Sequence, residues 1–286
     1  MWLSDEAARN LKSLGYGSWV TISDHLVTEA LVRYQVRAVR PIHKGKAGIL
    51  IRVEDDSRQQ LVLKLAPADI LLGQIEALTA LAGCGVPELV ACHPNSGSLL
   101  LEFISGEPWP LEQVVDLQQA VAFILAVKEH PTSKHRQSCL ATLEPWLNVG
   151  QQPRPPALEK QLALAKQIIE QESGQPQQHV HGDMGIHNMI YGQNGQMWVV
   201  DPGGVYGPAA YDAGFLTAFS GTTAEGAIAV GLQIAQLAEL DDEQVLRWAA
   251  VRLTASANLA YARGSLDHYQ DRLLRAERIL LRLGMV

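Results

Sequence analysis

Asp183, Asn188 and Asp201 are the residues of this chain whose types and spacing could do chemistry together. Asp183 and Asn188 share the loop His181-Gly182-Asp183-Met184-Gly185-Ile186-His187-Asn188, and Asp201 ends an apolar run thirteen residues beyond it. The set supplies a carboxylate able to accept a proton and two oxygen ligands suited to a hard divalent cation. Phosphoryl transfer from a nucleotide asks for that combination: a base that orients a hydroxyl, and a metal that neutralises phosphate charge.

The flanking segments must bring the three together. Gln178-His179-Val180 can enter the loop as a strand, and Met189-Ile190-Tyr191 can leave it as another. After Gly192-Gln193-Asn194-Gly195 comes a second apolar run, Met197-Trp198-Val199-Val200, leading to Asp201-Pro202-Gly203-Gly204. Asn-Gly between two apolar runs is a hairpin signal. A hairpin makes Asn188 and Asp201 neighbours, and two oxygen ligands on adjacent strand ends suit Mg²⁺, which keeps several waters. The protein-kinase catalytic loop has the form H-R-D-x-x-x-x-N. His181, Asp183 and Asn188 match it with Gly182 in place of Arg, and Asp201 takes the position of the later metal-binding Asp. The plain alternative is that loop Asp and Asn residues cap turns.

Upstream, residues 60–66 form an apolar strand pattern interrupted by Lys64, and Glu76 sits twelve residues later in a helical pattern. A charge inside such a strand needs a partner or a task, and a strand Lys paired with a helix Glu holds nucleotide phosphates in kinases. A snorkelling Lys64 and a solvated Glu76 are the alternative. The preceding loop, His43-Lys44-Gly45-Lys46-Ala47-Gly48, lacks the G-x-G-x-x-G form. Gly45 and Gly48 permit close backbone approach to phosphate, as they would permit an ordinary turn. Residues 98–106 read as a buried strand ending in Gly. As an interlobe linker, this stretch would offer adenine the carbonyl of Glu102 and the amide of Ile104.

With these residues in place, the chain resembles the aminoglycoside phosphotransferase-like small-molecule kinases, nearest the branch acting on streptomycin or hydroxyurea. The carrying residues are His179-Val180-His181-Gly182-Asp183 with Asn188, Val200-Asp201-Pro202-Gly203-Gly204, and Gly207-Pro208-Ala209-Ala210-Tyr211-Asp212. The resemblance implies an α+β, bilobal, protein-kinase-like fold and an ATP- and Mg²⁺-dependent enzyme acting on a small-molecule hydroxyl. It implies Asp183 as catalytic base, Asn188 and Asp201 on the metal, Lys64 on phosphate, and Glu76 fixing Lys64. The family often has His two residues after the catalytic Asp; this chain has Gly185 there and places His187 directly before Asn188.

Two rivals come from other classes. His179-x-His181-x-Asp183 fits an H-x-H-x-D metal-dependent hydrolase, and neutral imidazoles suit zinc. Further ligands are needed downstream, where His268 is the only later histidine, and Met184 stands where a His usually follows the Asp. A nucleotide-binding protein that has lost catalysis is the second rival. A protein kinase is a poorer fit, because D-F-G, A-P-E and an activation segment are missing.

Composition agrees with an ordinary globular protein: 286 residues, 47% hydrophobic and 19% charged. A net charge of −7 argues against a nucleic-acid partner. Cys84, Cys92 and Cys139 lack metal-type pairing and suggest a reducing compartment. The N-terminus reads as no signal peptide, and the longest apolar run, residues 120–127, is too short to span a bilayer. The expectation is a cytoplasmic protein with no membrane partner. The predicted organisation is a strand-rich N-terminal lobe over 1–101 with one clear helix near 70–82, a hinge at 102–106, and a helical lobe over 107–286. Within that lobe, helices are predicted over 111–129, 157–172, 223–240, 242–263 and 266–283.

Overall fold

The computed structural model describes residues 2–42, 48–108, 117–128, 137–150 and 153–286. The chain divides into two compact units, Met1–Ser105 and Gly106–Val286. Among the described residues, no helix is long and apolar enough to cross a membrane.

The first unit holds a five-stranded antiparallel sheet of order β1-β2-β3-β5-β4. Its strands are β1 (Arg37–Pro41), β2 (Ile49–Glu54), β3 (Gln60–Leu65), β4 (Leu89–His93) and β5 (Ser98–Glu102), with helix α3 (Ala68–Ala80) between β3 and β4. Two helices precede the sheet, α1 (Asp5–Ser13) and α2 (Gly17–Arg33), where the strand-rich reading foresaw neither. The α1 signal is present in hindsight. Ser4 Oγ accepts from Ala7 N–H at 3.2 Å, Asp5 and Glu6 occupy the first turn, and Lys12 the last. Period-2 alternation puts Ile49, Ile51 and Val53 of β2 with Leu61, Leu63 and Leu65 of β3 in one core, packed with Leu3, Ala7 and Leu11 of the α1 region and Val27 and Ala30 of α2.

The second unit contains two small sheets and a helical body. One sheet pairs β6 (Gly106–Pro108), β9 (Met189–Gly192) and β10 (Met197–Val199); the other pairs β7 (Gln137–Ser138), β8 (Gln178–Val180) and β11 (Val205–Gly207). The helices are α4 (Leu117–Lys128), α5 (Cys139–Asn148), α6 (Pro156–Glu172), α7 (Ala210–Phe219), α8 (Ala224–Leu237), α9 (Asp242–Ala262) and α10 (Leu266–Arg282). Helix α9 is the hub, packing on α5, α6, α7, α8 and α10. The helices expected near 157–172, 223–240, 242–263 and 266–283 are all present, and the one expected over 111–129 is present as α4 within the described residues. Helices α5 and α7 were not foreseen. Helix α7 is buried continuously from Ala210 to Ala218, so it shows no apolar stripe that a period-based reading could detect. Gly214 lets α7 meet α9 closely, because a Cβ there would collide with Trp248 on α9 and crowd the Ala249 nitrogen.

Candidate active site

The hairpin forms with Met197 opposite Tyr191 and Val199 opposite Met189. Its turn is closed by the Gly195 N–H donating to Gly192 O at 3.0 Å, with Gly195 at φ +78°. At the open end, Val200 N–H donates to Asn188 O at 2.8 Å, so the segments ending in Asn188 and Asp201 run side by side. Asp201 is exposed and holds a left-handed backbone, φ 63°, which Asp tolerates better than most residues.

The Asp183 loop is fastened by buried groups. Asp212, at the first turn of α7, accepts from the N–H groups of His181 at 2.6 Å and Gly182 at 2.9 Å. Gly182 has φ +86°, and a Cβ there would come within 2.5 Å of Val205 Cγ2. The residue that replaces the kinase Arg therefore follows from backbone shape and packing. His181 is fully buried, with Phe123 edge-on at 5.9 Å. The Asp183 N–H donates to His181 Nδ1 at 3.2 Å, which leaves Nε2 to carry the proton and donate to the Val200 carbonyl at 3.1 Å. That imidazole ties the loop to the hairpin exit and has no lone pair left for a metal. His179 is likewise buried, with Nδ1 donating to Val205 O at 3.2 Å across the β8–β11 pairing. Among the described residues, no group of three or more His, Cys, Asp or Glu side chains is arranged to hold a metal.

Asp183 keeps 42% of its side chain exposed. Its Oδ2 accepts from Asn188 Nδ2 at 3.0 Å and faces His187 Nε2 at 3.3 Å, while Oδ1 lies 3.6 Å from Arg252 Nη2. Burial raises the Asp183 carboxyl, but the His187 bond and the charges of Arg252 and His187 outweigh it and hold the group below the ordinary carboxylate range. Asp212 goes the other way: burial pushes it up, against the pull of the two amide bonds. Gly185 makes the His187 contact feasible, since a Cβ there would lie 2.5 Å from the His187 ring. The departure at 185 and the histidine at 187 are thus one arrangement.

Asn188 also donates to the Asp183 carbonyl at 2.9 Å, so its amide nitrogen is committed and its Oδ1 remains as a possible ligand. A carbonyl oxygen and an exposed carboxylate on adjacent segments fit a hard cation such as Mg²⁺ that retains water.

In the first unit, Lys64 is buried in β3, opposite Leu50 of β2 and Leu99 of β5, and Glu76 lies half-buried on α3, which packs on β4 and β5. A Cβ on Gly48 would run into the Leu65 carbonyl, so this glycine serves packing on β3. Gly45 lies outside the described residues. Glu102 ends β5, where its N–H donates to Glu88 O at 2.9 Å and its carboxylate accepts from Glu88 N–H at 3.2 Å. Ile104 follows in the irregular stretch after β5.

Nothing in the sequence marks Arg252, because an Arg in a helical pattern ordinarily faces solvent. His187 stands in the loop without an assigned task, although a four-residue offset from Asp183 across a tight loop is a usable signal. Asp212 stands in the sequence only as the end of the Gly207–Asp212 motif, and its carboxylate braces the loop that carries Asp183.

Residues 38–249 match the phosphotransferase enzyme family (APH), and the chain belongs to it. No curated protein matches the chain. The fold is that of protein-kinase-like small-molecule kinases. It is similar to choline kinase LicA from Streptococcus pneumoniae, with TM-score 0.68 and 13% identity over 91% of this chain and 99% of that one. The GDP complex of aminoglycoside 2'-phosphotransferase-IIIa gives TM-score 0.63 and 14% identity over 90% and 98% of the two chains. A Plasmodium vivax ethanolamine kinase gives 0.62 and 13% over 88% and 85%.

Proposed function

We propose that this chain moves the γ-phosphate of ATP to a hydroxyl of a small polar molecule. The supporting observation is the Asp183–Asn188 pair, bonded at 3.0 Å on a loop tied to the hairpin that ends at Asp201. Asp183 accepts the proton as the acceptor oxygen bonds to phosphorus, and ADP leaves with the electrons of the broken P–O bond. Asn188 and Asp201 would hold Mg²⁺, which supplies neutralisation of phosphate charge. Lys64 binds phosphate with Glu76 fixing it, and the backbone of Glu102 and Ile104 contacts adenine.

The motif residues resemble those of kinases acting on streptomycin or hydroxyurea, and the fold is shared with kinases of amino alcohols and aminoglycosides; the acceptor class follows from the groups around Asp183. Cys84, Cys92 and Cys139 are not in disulfides, which suits a reducing compartment such as the cytoplasm. The test is ADP release from MgATP across a panel of streptomycin, hydroxyurea, choline, simple sugars and hydroxy acids, beside calorimetric titration. Micromolar-to-millimolar MgATP binding with acceptor-dependent ADP release is expected. Tight Zn²⁺ binding without nucleotide, and no MgATP binding, would instead favour the H-x-H-x-D hydrolase.

A further inference from the structure

Arg252 is a buried cation that this mechanism does not use. It projects from α9 with 7% of its surface exposed. Its guanidinium carbon lies 4.0 Å from the centre of the Trp146 ring and 3.8 Å from that of Phe215. Nε is enclosed without a hydrogen-bond partner, and Nη2 stops 3.6 Å from Asp183 Oδ1. Among the described residues, the group is held by ring faces and by charge, with no hydrogen bond. Burial lowers it to about 10, opposed by Asp183, so it stays cationic at neutral pH.

Such a group is costly to keep. A buried charge with unsatisfied donors is disfavoured, and a well-packed apolar side chain of similar volume often serves stability as well or better. Aromatic contact engages the guanidinium face, whereas its donors radiate from the edges in a planar fork suited to oxygen pairs. One of those edges borders Asp183, whose carboxylate is part-exposed. A hydroxyl bonded to Asp183 sits roughly 2.6–3.2 Å from it. An oxygen accepting from Arg252 Nη2 then belongs to the atoms next to that hydroxyl. An ammonium in the same place would meet the guanidinium at close range and be repelled. Arg272 is near enough to depress Arg252 further and adds to the positive field.

We propose that Arg252 binds the phosphate acceptor through an oxygen adjacent to the reacting hydroxyl, and that the acceptor is therefore a hydroxy acid, its carboxylate on the Arg252 fork, and not an amino alcohol. The inference rests on the phosphotransferase reading above. It separates this chain from the choline and ethanolamine kinases whose fold it shares.

The experiment compares acceptors of matched skeleton. Glycolate, ethylene glycol and ethanolamine form one set; glycerate, glycerol and serinol form another. MgATP titration comes first: no binding overturns the phosphotransferase reading itself. With MgATP bound, ADP release should give a kcat/KM for each anion about ten-fold or more above its cationic counterpart, the size of a single favourable charge contact. R252Q should lower the anion's kcat/KM by roughly 30-fold or more, chiefly through KM, and bring the anion-to-cation ratio to one or below. R252K should recover part of it, having charge without the fork. Equal or better use of the cation by the unaltered protein, an equal loss on both acceptors in R252Q, or turnover of none of the six overturns the proposal. If R252Q does not fold, R252K and the unaltered protein decide it by the same ratio.

Discussion

The loop and hairpin over residues 181–201 and the helix pair α7–α9 build one site in opposite ways. In the first, Asp183 and His187 keep 42% and 52% of their side chains exposed, and their hydrogen-bond partners lie within five residues. In the second, Asp212, Arg252 and Asn258 are 2%, 7% and 0% exposed and act on chain far away in sequence. Asp212 holds backbone 30 and 31 residues earlier. Asn258 donates to the carbonyls of Trp146, Leu147 and Val149 at 2.8, 3.1 and 3.0 Å, closing the end of α5 and setting the Trp146 ring beside Arg252. Solvent-facing groups can be placed cheaply, but they do not fix their own position. Buried polar groups must be matched, and the matching locates the loop.

If that division holds, loss of an exposed group should cost turnover, and loss of a buried one should cost the fold as well. Asp183→Ala carries the largest effect. Removing the base should reduce turnover by roughly 10²–10⁴-fold, with MgATP binding nearly unchanged and the melting temperature lowered as Arg252 loses its counter-charge. Asp201→Ala should also weaken MgATP binding. Coupled ADP assays and calorimetry read both, and full activity in either variant refutes its assignment. Asp212→Ala comes next. It strands the buried His181 N–H and the part-buried Gly182 N–H, each worth about 1–3 kcal/mol, so urea unfolding should show a loss of about 2–6 kcal/mol together with lost activity. Unchanged stability with lost activity would mean that Asp212 serves the reaction directly, and the comparison would fail there.

Legibility followed the same line. The hairpin could be read because Asn194-Gly195 is a local turn code, and Asp183, Asn188 and Asp201 because motif spacing survives without knowledge of packing. The C-terminal helices α8 to α10 are legible from aliphatic residues at three- and four-residue spacing. Helix α7 was hidden because burial on every side erases the period. Arg252 was hidden because sequence does not distinguish an Arg pressed between Trp146 and Phe215 from one in water. Gly182 and Gly185 looked like departures, and became explicable only when Val205 and His187 were seen filling the space above them.

Gly214→Ala probes the helix pair without touching a polar group. Its Cβ would enter Trp248 and Ala249, and such overpacking typically costs about 1–3 kcal/mol. Thermal unfolding should fall accordingly, with turnover reduced only as the α7 end carrying Asp212 shifts. A variant as stable as the parent would show that α7 and α9 can part without cost, and that the buried layer is softer than its packing indicates.

The smallest effect tests the exposed layer by itself. His187 and Asp183 form a part-exposed pair, worth about 0–1 kcal/mol at most, so His187→Ala should barely alter stability at neutral pH. The pH profile should change more. Asp183 is held below the usual carboxylate range, so it contributes stability above its unfolded pKa and loses that contribution as pH falls through the folded one. As a base it stays ionised to lower pH than a free Asp. Without the His187 bond its pKa rises, and the acid limb of kcat should move upward. Gly185→Ala should reproduce that shift, because its Cβ would displace the same ring. If Gly185→Ala moves the limb and His187→Ala does not, the backbone at 185 sets the Asp183 environment, and the ring contact is incidental.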